Sequence, residues 1–163
     1  FEYGPHREQV KLDQAWLDIA ASIAELSERT EVESVATVGF CFGGSMSFVA
    51  GANPDLDLAA VIGFYGVLAR ERFDGHGVLA EARNISRPVL GLFGGADQAI
   101  PVDQVEEFDA ALADAGVEHE IHVYPGAPHS FFDRKQNEFA DESEDAWRRI
   151  IGFLAGLRER VPG

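Results

Sequence analysis

The chain has 163 residues, 46% of them hydrophobic, with one cysteine and a formal net charge of −15. That length supports one domain with a substantial core, and no apolar run approaches the roughly 18 residues of a membrane-spanning helix. The negative charge repels nucleic acid and anionic membranes, and a lone cysteine excludes an internal disulfide and fits a reducing, cytoplasmic setting.

The chain opens on Phe1 rather than Met and enters a helical pattern almost at once, which points to an incomplete polypeptide. Its first residues carry neither the basic nor the apolar region of a signal peptide. Leu12, Ala15, Trp16, Ile19, Ile23 and Leu26 share one helical face, predicting a helix from about Gln9 to Ser27. Val35 to Phe40 reads as a buried strand, followed by a helix from Gly43 to about Ala50 and a turn at Asn53-Pro54. Ala59 to Phe64 is a second apolar run.

Val67 to Arg87 lacks periodicity and reads as a loop with a short helix. Pro88 to Phe93 is a third strand, closed by Gly94-Gly95-Ala96-Asp97. Val102, Val105, Phe108, Leu112 and Ala115 mark a helix stopped by Gly116. Glu118 to Tyr124 is the last strand, broken at Pro125-Gly126-Ala127-Pro128. Asp141 and Glu144 give a capping-box-like start to a final helix, with Trp147, Ile150, Ile151, Leu154 and Leu157 as its core face. Strands and helices alternate and the strands are continuous apolar runs, so the expected architecture is α/β: a parallel sheet covered by helices on both faces, within one domain over residues 1–163. Chemistry in such sheets gathers beyond the carboxyl ends of the strands.

Three polar residues stand just past predicted strands: Cys41, Asp97 and His129. Cys41 sits in Val38-Gly39-Phe40-Cys41-Phe42-Gly43-Gly44-Ser45, the pattern of a nucleophile elbow, in which Gly39, Gly43 and Gly44 are expected to remove colliding side chains. An imidazole that accepts the thiol proton makes the sulfur a nucleophile, and a carboxylate behind the imidazole orients it. The chain order of nucleophile, acid and histidine is that of the α/β-hydrolases. Each residue alone has a plainer explanation: a small buried hydrophobe for Cys41, a turn cap for Asp97, a loop histidine for His129. Three such residues in that order at three strand ends favour the triad. His6, His76, His119 and His122 are assigned surface or structural roles. No Cys/His spacing resembles a zinc site, and the elbow lacks the lysine of a phosphate-binding loop.

At Gly39-Phe40-Cys41-Phe42-Gly43-Gly44, Phe64-Tyr65-Gly66, Gly94-Gly95-Ala96-Asp97, Tyr124-Pro125-Gly126-Ala127-Pro128-His129-Ser130-Phe131 and Ala146-Trp147, the chain resembles the dienelactone hydrolases of the α/β-hydrolase superfamily. The resemblance implies an α/β-hydrolase fold lacking its N-terminal part. It also implies a cofactor-free hydrolase in which Cys41 attacks a lactone or small-ester carbonyl, His129 is base and then acid, and Asp97 orients His129. The Phe42 N–H would form half of the oxyanion hole. Dienelactone enzymes carry an arginine shortly after the histidine. Here Asp133 and Arg134 follow, so Arg134 is either the cation for a substrate carboxylate or a surface residue paired with Asp133 or Glu138. Tyr65 and Phe131 are candidate pocket walls, or simple packing. Without the missing strands, Val35 to Phe40 would be a bare apolar sheet edge. The expected partner is a small-molecule ester or lactone, with the protein a monomer or weak homodimer. A non-catalytic binding domain, a general carboxylesterase and a redox role for Cys41 are the alternatives.

Overall fold

A computed structural model describes residues 10–29, 31–68, 73 and 75–158. Helix α1 (Leu12–Ser27) leads into strand β1 (Ala36–Phe40), which turns sharply into α2 (Phe42–Ala50). Strand β2 (Ala60–Phe64) follows, then α3 (Val78–Glu81) with a 3-10 turn at Ala82–Asn84. Strand β3 (Val89–Gly94), α4 (Val102–Asp114), β4 (His119–Tyr124) and α5 (Ala140–Arg158) complete the order. The first residue of the predicted opening helix, Gln9, lies outside the described residues, as do 69–72 and 74 of the segment expected to be a loop with a short helix.

The strands pair in sequence order, β1-β2-β3-β4, and every pairing is parallel. All four therefore end at one rim. Side chains alternate between faces along a strand, so neighbours in β2 identify what covers each face. Gly63 faces Phe48 of α2, while Phe64 packs against Phe131 and Phe132 on the opposite face, where Phe132 in turn meets Trp147 of α5. Both faces of β2 are covered, as its continuous apolar run predicted. The expectation of a buried strand at Val35 to Phe40 is corrected: only Gly39 of β1 is buried, because no described strand pairs with its outer edge.

A row of glycines positions α2. Gly39, Gly63 and Gly91 are register partners across β1, β2 and β3. A Cβ on Gly63 would overlap the Phe48 ring, and one on Gly91 would lie 2.7 Å from Ile121 and 2.8 Å from Phe93. The trough admits the ring of Phe48, which stacks on Phe93 at 6.0 Å and tilts against Phe108 at 5.1 Å. Helix α2 thereby lies close on the sheet directly after the turn that carries Cys41.

The final helix departs from expectation in two respects. It begins at Ala140, so Asp141 lies inside the first turn, where a carboxylate complements the helix dipole, rather than capping it. Its buried stripe is Ser143, Ala146 and Ile150, whereas Trp147 and Ile151 are 55% and 54% exposed. Small residues at positions 143 and 146 let the helix settle near the sheet, and this rotates the two large apolar side chains away from the core. On the same side, Val38 and Phe40 of β1 are 44% and 40% exposed, and no described strand pairs with the outer edge of β1. No described helix is long and apolar enough to cross a membrane.

Candidate active site

The turn between β1 and α2 holds Cys41 at φ 53°, ψ −114°, a conformation that L-residues disfavour. Neighbouring contacts hold it there: the Cys41 N–H donates to the Phe64 carbonyl at 3.0 Å, and the Cys41 carbonyl accepts from the Ser45 N–H at 3.2 Å. A Cβ on Gly39 would overlap the Gly43 carbonyl, and one on Gly44 would sit 2.6 Å from the Phe64 carbonyl oxygen. Those two glycines are required by close approach. Gly43 is not, because a Cβ there meets nothing within 4 Å, which corrects the expectation that all three relieve collisions. The result is a partly buried sulfur immediately before α2, with Phe42 as the first helical residue. Phe42 also packs edge-on against Phe73 at 5.5 Å.

The turn after β3 and the loop after β4 are fastened to each other. Gly95 N–H donates to the Tyr124 carbonyl at 2.7 Å and Ala96 N–H to the Ala127 carbonyl at 3.0 Å. This contact depends on missing side chains: a Cβ on Gly94 would overlap the Ala127 carbonyl, and one on Gly95 would lie 2.8 Å from the backbone of Pro125. Across this junction His129 Nδ1 lies 2.6 Å from Asp97 Oδ2. The other carboxylate oxygen, Oδ1, accepts from the Ala99 N–H at 2.9 Å. With one oxygen committed to backbone, the carboxylate cannot swing away from the ring. The Asp97 side chain is 1% exposed and His129 31% exposed, so the imidazole is the part that faces outward.

The electrostatics follow from this geometry. The hydrogen bond to Asp97 pushes the His129 imidazole up to about 9, against the opposing effect of its own burial, and Cys41 adds a further upward push. Cys41 is thus close enough to the ring to influence its charge. Because Nδ1 is taken by Asp97, the remaining ring nitrogen, Nε2, is the one available to the sulfur.

Tyr65 closes one side. It stands just past β2 at φ 36°, with its ring 5.0 Å from the His129 ring. The ring is fully buried, backed by Phe131 at 5.6 Å, which is itself fully buried between Tyr65, Phe64 and Tyr124. The phenol Oη donates to Asp133 Oδ1 at 3.0 Å. Burial and then the Asp133 carboxylate hold the phenol far above its ordinary pKa, so it remains a donor. Sequence reasoning missed this partnership, which spans 68 positions and has no local signature. Arg134 is exposed and pairs with neither Asp133 nor Glu138 among the described residues.

The remaining histidines are occupied elsewhere. His76 Nδ1 lies 2.7 Å from Glu81, His119 reaches the Val117 carbonyl and Asp109, and His122 packs edge-on against Tyr124. His6 lies outside the described residues. Among the described residues no group of three His, Cys, Asp or Glu side chains is arranged to hold a metal ion.

The sequence profile of the dienelactone hydrolase family matches residues 4–157. The chain belongs to that family. This dienelactone hydrolase family member is 35% identical over 128 residues to a candidate carboxymethylenebutenolidase of Yersinia pestis, covering 76% of the chain and 47% of the relative. A candidate carboxymethylenebutenolidase of Saccharolobus solfataricus is 30% identical over 146 residues, covering 88% of the chain and 52% of the relative. Among solved structures, a candidate dienelactone hydrolase of Klebsiella pneumoniae superposes with a TM-score of 0.80 at 30% identity, over 90% of this chain and 62% of that one. The chain thus spans about half the length of the curated relatives it matches. An acylaminoacyl peptidase of Pyrococcus horikoshii, 18% identical with a TM-score of 0.72 over 87% of this chain, shares the α/β-hydrolase fold.

Proposed function

We propose that this chain carries the nucleophile, acid and histidine of a cytoplasmic hydrolase that opens small esters or lactones through a thioester on Cys41. The observation that carries the reading is the 2.6 Å contact between His129 Nδ1 and the buried Asp97 carboxylate, beside a cysteine held at positive φ on a strand-to-helix turn. A structural cysteine has no need of so strained a backbone.

As the sulfur attacks, its proton passes to Nε2 of His129, and the bond to Asp97 that pushes the imidazole up to about 9 stabilises the imidazolium so formed. The sulfur lone pair forms a bond to the carbonyl carbon, and the π electrons move to oxygen. The Phe42 N–H, at the start of α2, supplies one donor to that oxyanion. The oxyanion re-forms the carbonyl and breaks the C–O bond to the leaving group, which takes the proton from His129 Nε2. In a lactone the freed hydroxyl stays tethered to the acyl chain. Water then attacks the thioester while neutral His129 accepts its proton, and the sulfur leaves as thiolate. Asp97 holds the ring and stabilises its cationic form in both halves.

The test is to mix the intact protein with excess p-nitrophenyl acetate, quench early and weigh the peptides. One acetyl group on the peptide holding Cys41, lost again in hydroxylamine, is the expected result. Turnover with no acyl group on Cys41 overturns the thioester, and no turnover at all overturns the hydrolase reading.

A further inference from the structure

We propose that Tyr65 and Asp133 are positioning residues: their hydrogen bond ties the loop that carries His129 to the end of β2 and keeps the imidazole in its working orientation. The inference rests on the hydrolase reading above and adds to its machinery two residues that act through His129.

The connection from β4 to α5, residues 125–139, contains neither strand nor helix, so no backbone ladder fixes its course. His129 is followed by Ser130 at φ 61°, a left-handed conformation that residues other than glycine seldom adopt, and the chain then curls back until the Lys135 N–H meets the Ser130 carbonyl at 3.2 Å. Such a turn persists only where its surroundings hold it. Side chains do so here. Phe131 is fully buried, and its carbonyl accepts from Ser143 Oγ of α5 at 3.3 Å. Asp133 is exposed, yet its Oδ1 accepts from Tyr65 Oη at 3.0 Å. The first contact fastens the loop to α5 and the second fastens it to β2.

Tyr65 is the fixed end of the tether. Its N–H donates to the Leu92 carbonyl on β3 at 2.8 Å and its ring is fully buried. Burial first, and then the Asp133 carboxylate, opposes loss of the phenol proton, so Oη stays a donor. With no surface exposed, Tyr65 influences the reaction only through its neighbours, and its ring lies 5.0 Å from the His129 ring at 56°. That contact supplies what Asp97 alone does not. One hydrogen bond at Nδ1 fixes a point on the imidazole but leaves the ring free to swing about it, and Nε2, across the ring, moves with that swing. The Tyr65 ring blocks the motion on its side for as long as the loop stays down, which the bond to Asp133 secures. A misplacement on the order of 1 Å is enough to cost about 100-fold in rate.

The test uses the intact protein, p-nitrophenyl acetate turnover, and the downfield proton resonance of the Nδ1–H shared with Asp97, all read well below each variant's melting temperature. Asp133→Ala removes the acceptor and Tyr65→Phe removes the donor while keeping the ring. Each is expected to lower kcat by roughly 10- to 100-fold with KM within about three-fold of native, and to broaden the Nδ1–H resonance. The double variant should be no slower than the slower single one. Asp133→Asn, which keeps an acceptor for Tyr65, should restore both the rate and the resonance. A merely structural bond would lower the melting temperature and leave kcat and the resonance of the folded protein at their native values, which overturns the proposal. A loss confined to KM, or Asp133→Asn as impaired as Asp133→Ala, overturns it too. No turnover by the native protein overturns the hydrolase reading itself, and this inference with it.

Discussion

Asp97 and His129 are joined by a 2.6 Å contact between Oδ2 and Nδ1, and the second carboxylate oxygen is held by the Ala99 N–H. The pair has a thermodynamic signature. His129 is raised from its ordinary value to about 9, so the folded chain binds this proton more tightly than the unfolded one. The stabilisation is fully present below the unfolded value near 6.5, declines as pH rises beyond it, and is gone above about 9. Thermal denaturation across pH 6 to 10 should show this decline in the native protein and a flatter curve in Asp97→Asn. An NMR titration of the imidazole should find its midpoint near 9, falling in Asp97→Asn and, by less, in Cys41→Ser.

Replacing Asp97 by Asn preserves the shape of the turn but removes the charge that holds the imidazolium. A loss of about 10⁴-fold in ester turnover is expected, as for the equivalent change in a serine triad. Circular dichroism should remain native, because the Ala99 N–H still finds an amide oxygen. Turnover within a few-fold of native would remove Asp97 from the mechanism.

Removing the sulfur is more drastic. Cys41→Ala should reduce turnover by roughly 10⁴ to 10⁶, and adding His129→Ala should cost little more, because the two act as one unit. Steady-state rates of the single and double variants check this. Additive losses would mean that the two residues act in separate steps.

The two glycines flanking the elbow should respond with opposite signs. Gly39→Ala drives a methyl group into the Gly43 carbonyl and should destabilise by at least about 1 to 3 kcal/mol. Gly43→Ala places its methyl group in open space inside a helix and should gain about 0.5 kcal/mol. Urea denaturation of both variants decides between this geometry and one in which all three glycines are needed.

On the outer side of the sheet, Arg149 of α5 bonds to Asp145 on its own helix and to Glu120 on β4, and Tyr124 Oη donates to the same Asp145. These groups are partly exposed and screened by solvent, so Arg149→Met should cost no more than about 1 kcal/mol, a loss that disappears in high salt. Chemical denaturation at two salt concentrations reads it directly.

The apolar runs of β2 and β3 were enough to place them, because a strand covered on both faces must be apolar throughout, whereas β4, with His119, Glu120 and His122, was legible from its alternation and β1 from its run into the glycines of the elbow. These patterns were enough also to put Cys41, Asp97 and His129 at one rim, since parallel strands share a direction. The final helix was harder. Trp147 and Ile151 have the right period for a core face, but period alone does not say where the sheet ends or which small residues press closest to it, and Ser143 and Ala146 took that place.

What belongs to the amino-acid order alone is therefore the layered α/β design and the order in which Cys41, Asp97 and His129 follow three strands, both carried by local patterns of hydropathy and glycine. Tertiary contact decided the rest: which glycines face a backbone, how far Asp97 raises His129, and that Asp133 binds Tyr65 across 68 positions instead of pairing with its neighbour Arg134. These depend on distances between groups remote in the chain, and such distances exist only once burial has brought the loops beyond β2, β3 and β4 together.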